Sequence, residues 1–147
     1  FMFSIWLDYP QYEDEITIVK NTTSTYHYHP PTVITGKEIL FFQELIRKVP
    51  VNDNVIHYAV KLAARTRPGT PHAAEAANQY LKWGAGPRAS QYLVLGAKTH
   101  AVLNGKYSPD IEDVQAVAPS ILRHRIIKNY KAEAENIHID DIISRLM

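Results

Sequence analysis

Residues 84–103, GAGPRASQYLVLGAKTHAVL, decide how the rest of the chain reads. Gly86 suits a helix N-cap, and Pro87 suits the first helical position, where its missing N–H costs nothing. Ala89, Leu93, Gly96, Ala97 and His100 then share one face, with small residues that allow close packing. Asn104-Gly105 supplies a left-handed stop. The spacing predicts a core helix. Arg88 is its odd residue, because the dipole of the first turn disfavours a cation by roughly 0.3–1 kcal/mol. A phosphate beyond the helix end would reverse that sign by meeting backbone N–H groups and a guanidinium together. A solvated surface arginine is the plain alternative.

The composition narrows the classes. A chain of 147 residues has the size of one domain, enough to bury about two-thirds of its unfolded surface. Sixteen basic residues against fifteen acidic ones give no bulk argument for a nucleic-acid or membrane partner. With no cysteine there is neither a disulfide nor a thiolate metal site, which fits a reducing compartment and a cytoplasmic location. No apolar run approaches the ~18 residues of a membrane helix. The start, Phe1-Met2-Phe3-Ser4-Ile5-Trp6, lacks the basic region of a signal peptide. It opens on Phe with strand-like sequence, and the expectation is a chain cut from a longer one.

Taken in order, Phe1 to Leu7 reads as a short strand, and Asp8-Tyr9-Pro10 opens a helix with Glu13, Asp14 and Glu15 in its favourable first turn. Tyr12, Ile16 and Val19 form its apolar stripe. Residues 21–34 read as a loop. His27 and His29 within it raise the idea of a metal, but no third ligand stands at recognisable spacing, so the expectation is none. Thr35 and Glu38 form a capping box for a helix carrying Ile39, Phe42, Ile46 and Val49, ended by Pro50. Asn52 or Asp53 caps the next helix, with Val55, Ile56, Ala59, Val60, Leu62 and Ala63 as its core face. Arg65 and Arg67 fall in its last turn, where the dipole favours cations. Ala73 to Trp83 is a weakly patterned short helix. Ser108-Pro109-Asp110 caps a helix whose stripe is Ile111, Val114 and Val117, and Pro119 is expected to interrupt it. Arg123-His124-Arg125 reads as a bend between buried neighbours, and Lys131 to Asn136 as a loop. The final helix, Asp140 to Met147, buries Ile142, Ile143 and Leu146. His138 at its cap predicts a ragged start, while Asn136 tolerates a left-handed turn.

Gly84-Ala85-Gly86-Pro87-Arg88-Ala89 resembles the sensor-2 motif of MoxR-type AAA+ ATPases, relatives of the magnesium-chelatase ATPase subunit. Four more blocks resemble the same family in the same order: Phe1 to Pro10, Arg47 to Asp53, Ala64 to Arg67, and Ala118 to Glu135. They match only the C-terminal part of such an ATPase. The resemblance implies a mainly α, helical AAA+ lid bundle with one short N-terminal strand left from the ATPase core. Residues 1–9 would be the end of that core, its last strand and hinge, and residues 10–147 the lid.

The same resemblance implies roles for single residues. Arg88 matches the arginine that reaches the γ-phosphate of bound nucleotide and couples lid position to nucleotide state. Tyr9 and Pro10 match the core–lid hinge, near the adenine. ATP and magnesium are the expected cofactors of the full-length protein, with none expected for this chain alone. Its expected partners are the absent core, neighbouring subunits of a ring, usually a hexamer, and a protein with a von Willebrand A domain. The parent group acts in chaperone-like remodelling or metal-enzyme maturation.

The chain carries no Gly-x-x-x-x-Gly-Lys-Ser/Thr phosphate cradle, and no acidic strand for magnesium is legible. Lys98-Thr99 follows Gly96-Ala97, but in mid-helix. His-Glu-x-x-His and Gly-x-Ser-x-Gly are also missing. Two other classes compete with the lid reading. One is a helical nucleic-acid binder using Arg123, His124 and Arg125, disfavoured by the balanced charge. The other is a helical interaction module that never meets nucleotide.

Overall fold

The structure is a computed structural model, and it describes residues 1–25 and 29–147. His27 lies outside the described residues, so the pairing of His27 with His29 is left there. Helix α5 (Pro87–Leu103) is the centre of the molecule, as its sequence predicts. Ala89, Leu93, Gly96 and Ala97 are buried and His100 half-buried, with Ala101 added to the same face. α5 packs against α3 (Asp53–Arg65) on one side and α6 (Ile111–Leu122) on the other. The bundle is completed by α4 (Glu75–Tyr80), α7 (Tyr130–Ala134) and α8 (Ile139–Leu146). α8 supplies Ile142, Ile143 and Leu146 to the core, all fully buried.

Helix α1 (Tyr12–Thr22) lies outside that core, and α2 (Gly36–Lys48) lies against α5 at its edge, with Lys98 Nζ donating to Arg47 O at 3.3 Å. Both are amphipathic in sequence, and α2 has the expected capping box, the Glu38 carboxylate accepting from the Thr35 N–H at 2.8 Å. Yet neither contains a buried residue. Of the expected stripe, Ile39 and Phe42 remain 48% and 49% exposed while Ile46 and Val49 are half-buried, and Phe41 beside them is 61% exposed, so the apolar surface of α2 has no full cover. In α3 the buried face is narrower than expected, because Ile56 and Val60 also face outwards.

The expected N-terminal strand is not formed. Residues 1–7 carry no strand pairing, and the segment instead lies on the end of α6, where the Ser4 N–H donates to Ser120 O at 2.7 Å. An edge of extended chain needs a partner for its N–H and C=O groups. Here that partner is a helix end and arginine side chains. The two strands that do form are β1 (Leu81–Trp83) and β2 (Ile127–Lys128), an antiparallel pair with an irregular register. β1 takes the last residues of the stretch expected to be a single short helix.

Four further expectations are corrected. Pro119 does not interrupt α6, which continues to Leu122 because Val117, Ala118, Ile121 and Leu122 anchor it on both sides of the proline. The cap of α6 is Asp110 rather than Ser108, with Asp110 Oδ1 accepting from the Glu112 N–H at 3.0 Å. Residues 131–134 are helical rather than loop. Asn129 caps α7 by accepting from the Ala132 N–H at 3.0 Å, and buried Ala132 pins the short helix to the core. His138 caps α8, its Nδ1 accepting from the Asp140 N–H at 3.3 Å, so the start is not ragged. Asn136 takes the left-handed conformation, φ 51°, that its side chain tolerates.

Candidate functional site

Arg88 is the second residue of α5, one step after Pro87, and its side chain is exposed. The first turn of α5 contains no acid, and Gly86 gives no side-chain cap. Among the described residues Arg88 forms neither an ion pair nor a hydrogen bond. A cation therefore stands at the positive end of a 17-residue helix with nothing to offset it.

The loop that presents this helix end is tightly held. The Ala85 N–H donates to Thr66 Oγ1 at 2.8 Å, and that hydroxyl donates to Ala63 O at 2.6 Å. Arg67 Nε donates to Ala85 O at 2.8 Å. Gly84 lies so close to the end of α3 that a Cβ there would fall 2.4 Å from Thr66 O. Thr66 is fully buried and Ala85 nearly so, which makes these contacts insensitive to water. Arg65 is engaged separately, its Nε donating to Leu146 O at 2.7 Å. The sequence placed Arg65 and Arg67 in a last turn for the dipole alone. Only Arg65 is in that last turn, Arg67 lying past the C-cap Thr66, and the carbonyls that both arginines bind are far along the chain, which no local pattern signals.

An open cavity of about 460 Å³ lies beside this loop, lined by Arg67, Lys82, Trp83, Gly84 and Gly86 among others. Trp83 is 68% exposed at its edge. Arg125 is held below its usual pKa first by burial, and Arg88 adds like-charge repulsion. The cavity brings two cations, Arg67 and Lys82, to the start of α5, which suits an anion, while Arg88 stands next to it in sequence, after Pro87, and is not among its lining residues.

Among the described residues no hydrogen bond, ion pair or ring contact joins Tyr9 or Pro10 to Arg88. Both lie in the extended segment before α1, with Tyr9 91% exposed and its N–H donating to Asp8 Oδ1 at 2.8 Å. Arg123, His124 and Arg125 do not form a free basic surface. Arg123 makes a two-pronged pair with Asp140 (2.9 and 2.8 Å), which holds the Asp140 carboxyl below its ordinary pKa. Arg125 donates to backbone carbonyls and lies 5.0 Å from the centre of the Tyr92 ring. The recognition-unit reading of this cluster loses its unengaged cations.

One buried charge was missed. Asp113, fully buried, accepts from His100 Nδ1 at 2.7 Å and from Lys106 Nζ at 3.1 Å. Burial pushes its carboxyl up, but the Asp110 N–H, His100 and Lys106 together outweigh that and bring it to about 2. The network joins the end of α5 to the start of α6. Among the described residues no group of three metal-ligating side chains forms, and no helix is long and apolar enough to cross a membrane.

A helical bundle presenting a bare arginine at a clamped helix end defines a class, and comparison with known proteins supplies its family. The AAA lid domain model matches residues 73–146, half of the chain, and the chain belongs to that family. More particularly, the chain is similar to part of a MoxR chaperone and of an ATPase of known structure. It is 29% identical over its whole length to Chaperone MoxR1 of Mycobacterium tuberculosis, and 24% identical to the uncharacterized protein YeaC of Bacillus subtilis. A crystal structure of a candidate ATPase from Cytophaga hutchinsonii superposes over 99% of the chain, with a TM-score of 0.82 and 32% identity. The chain spans 39%, 43% and 44% of the lengths of these three relatives.

Proposed function

We propose that this chain closes over a nucleotide bound by an AAA+ core and presents Arg88 to its terminal phosphate. On this reading residues 1–9 belong to the end of that core, with Tyr9 and Pro10 at the hinge near the adenine, and residues 10–147 form the lid. The observation that carries the proposal is Arg88 itself: exposed, unpaired, and set by the Thr66–Arg67 clamp at the end of α5. Bound ATP would supply the phosphate charge that the helix end and guanidinium complement. Magnesium would be held by acids of the core. The exposed apolar faces of α1 and α2 support the same reading, since a core packed there would cover Ile39, Phe41 and Phe42.

The proposal extends to the parent protein through the family resemblance of the sequence blocks. The parent protein would work in the cytoplasm as a ring of subunits, a hexamer, turning ATP hydrolysis into chaperone-like remodelling or metal-enzyme maturation, alongside a protein with a von Willebrand A domain. The test is Arg88→Ala and Arg88→Lys in the full-length ATPase. Losing one charge-assisted contact in a transition state costs about 2.7–4 kcal/mol, or roughly 10²–10³ in turnover. Arg88→Ala should show that loss with nucleotide affinity little changed and the melting temperature intact. Arg88→Lys should recover only part, because an ammonium cannot hold two oxygens as a planar fork does. Full turnover in Arg88→Ala would return the residue to the solvated surface.

A further inference from the structure

The arginines at 123 and 125 act on the backbone of the first four residues. Arg123 Nη1 donates to Ser4 O at 3.0 Å, while Ser4 N–H donates to Ser120 O at 2.7 Å. Arg125 Nη1 donates to Met2 O at 3.1 Å and also to Ile121 O, and its Nη2 donates to Phe1 O. His124 Nε2 lies 3.4 Å from Phe1 O. Three carbonyls of one extended segment are thus gripped from a single turn of chain. The grip reads backbone shape rather than side chains, so it holds the segment's direction.

Both arginines are tied to the bundle on their other side. Arg123 is fixed to α8 through Asp140, and the Arg125 guanidinium lies over Tyr92 of α5. Tyr92 is one helical turn after Arg88, on the same side of α5. The segment also sits on α5 directly, with Phe3 Cζ 3.4 Å from the place a Cβ of Gly96 would take. Its far end runs through Leu7 and Asp8 into Tyr9 and Pro10.

We propose that Arg125, backed by Arg123, is a positioning residue: it latches residues 1–4 to α5 and so fixes the direction from which Arg88 approaches its anion. This rests on the reading of Arg88 given above. Movement of the first seven residues is carried to the first turn of α5 through the Arg125–Tyr92 stack, rather than through the chain running by way of α1 and α2. A lysine has one donor head and cannot grip the carbonyls of Phe1, Met2 and Ile121 while stacking on Tyr92.

The test uses the full-length ATPase, with steady-state turnover, Mg-ATP titration, and hydrogen exchange of the peptides covering residues 1–7 and 93–103. Arg125→Ala should speed exchange at the Ser4 amide at least tenfold and lower kcat at least tenfold. ATP affinity should stay within threefold and residues 93–103 should stay protected. Arg125→Lys should restore less than half of the lost turnover. Tyr92→Leu, which leaves the carbonyl grip in place, should lower kcat with the Ser4 amide still protected. This variant decides the matter if Arg125→Ala fails to fold. Wild-type kcat in Arg125→Ala, or in Tyr92→Leu, overturns the latch. Arg88→Ala run in parallel separates the two ideas. If it is inactive while Arg125→Ala turns over normally, the latch alone fails. If Arg88→Ala turns over normally, the reading of Arg88 fails and the positioning role falls with it.

Discussion

Gly84→Ala probes the clamp that presents α5, and the structure sets its cost. The new methyl carbon would fall 2.4 Å from Thr66 O, 2.6 Å from Arg67 Cα and 2.7 Å from Thr66 C. Carbon and oxygen atoms rest at about 3.5 Å, so the loop must retreat by roughly 1 Å, and all three neighbours are backbone. Overpacking of this kind costs about 1–3 kcal/mol. The same retreat stretches the 2.8 Å bonds from the Ala85 N–H to Thr66 and from Arg67 to Ala85 O. Each is worth about 1 kcal/mol, more where a buried group is left unpaired. The entropy gained by replacing glycine in the unfolded chain returns about 0.4–1 kcal/mol. The net expectation is a loss of about 2–4 kcal/mol, or roughly 6–16 °C in melting temperature for a domain of this size. Urea unfolding with an unchanged m-value measures it. Gly86→Ala is the control: a Cβ there meets nothing within 4 Å and φ is −76°, so its cost should stay within about 1 kcal/mol. Equal midpoints for the two variants would refute the close approach of Gly84 to α3.

Asp113 sets an acid limit on stability. Its folded pKa, about 2, lies below the usual carboxyl value, so its contribution of about 2 kcal/mol is present above pH ~4 and is lost as pH falls through about 2. In urea melts from pH 6 to 2, Asp113→Asn should be weaker near neutrality and show a flatter acid limb; a parallel loss at every pH would contradict the network. Pro119→Ala should raise the free energy of unfolding by about 1 kcal/mol or more, read from urea melts, since a proline in a helix interior costs about 3 kcal/mol relative to alanine and its half-buried ring recovers only part. A destabilised Pro119→Ala would mean that ring packing outweighs the missing N–H.

The sequence by itself determined the helices whose signals are local. α5 followed from Gly86, Pro87 and a small-residue face, α2 from Thr35 and Glu38, and the left-handed turn from Asn136. Caps and apolar periods act within one or two turns, so they survive without knowledge of the fold. The exposed position of Arg88 at a helix end was legible for the same reason. Tertiary structure decided whatever depends on partners far along the chain. Phe1–Leu7 has strand composition, but a strand exists only where another edge accepts its hydrogen bonds, and here a helix end and two arginines do so. α7 is too short and polar to announce itself, and forms because Ala132 finds the core and Asn129 caps it. Pro119 stays helical because buried neighbours on both sides outweigh the lost bond. The clamp joins Thr66 and Arg67 to Gly84 and Ala85, and the latch joins Arg125 to Phe1. Those contacts span some eighteen to more than a hundred residues of chain, and no local pattern encodes them. α1 and α2 show the opposite case: their amphipathic periods specify the helices, but burial needs a second surface, and among the described residues α5 gives α2 only a partial one, with Ile46 and Val49 half-buried.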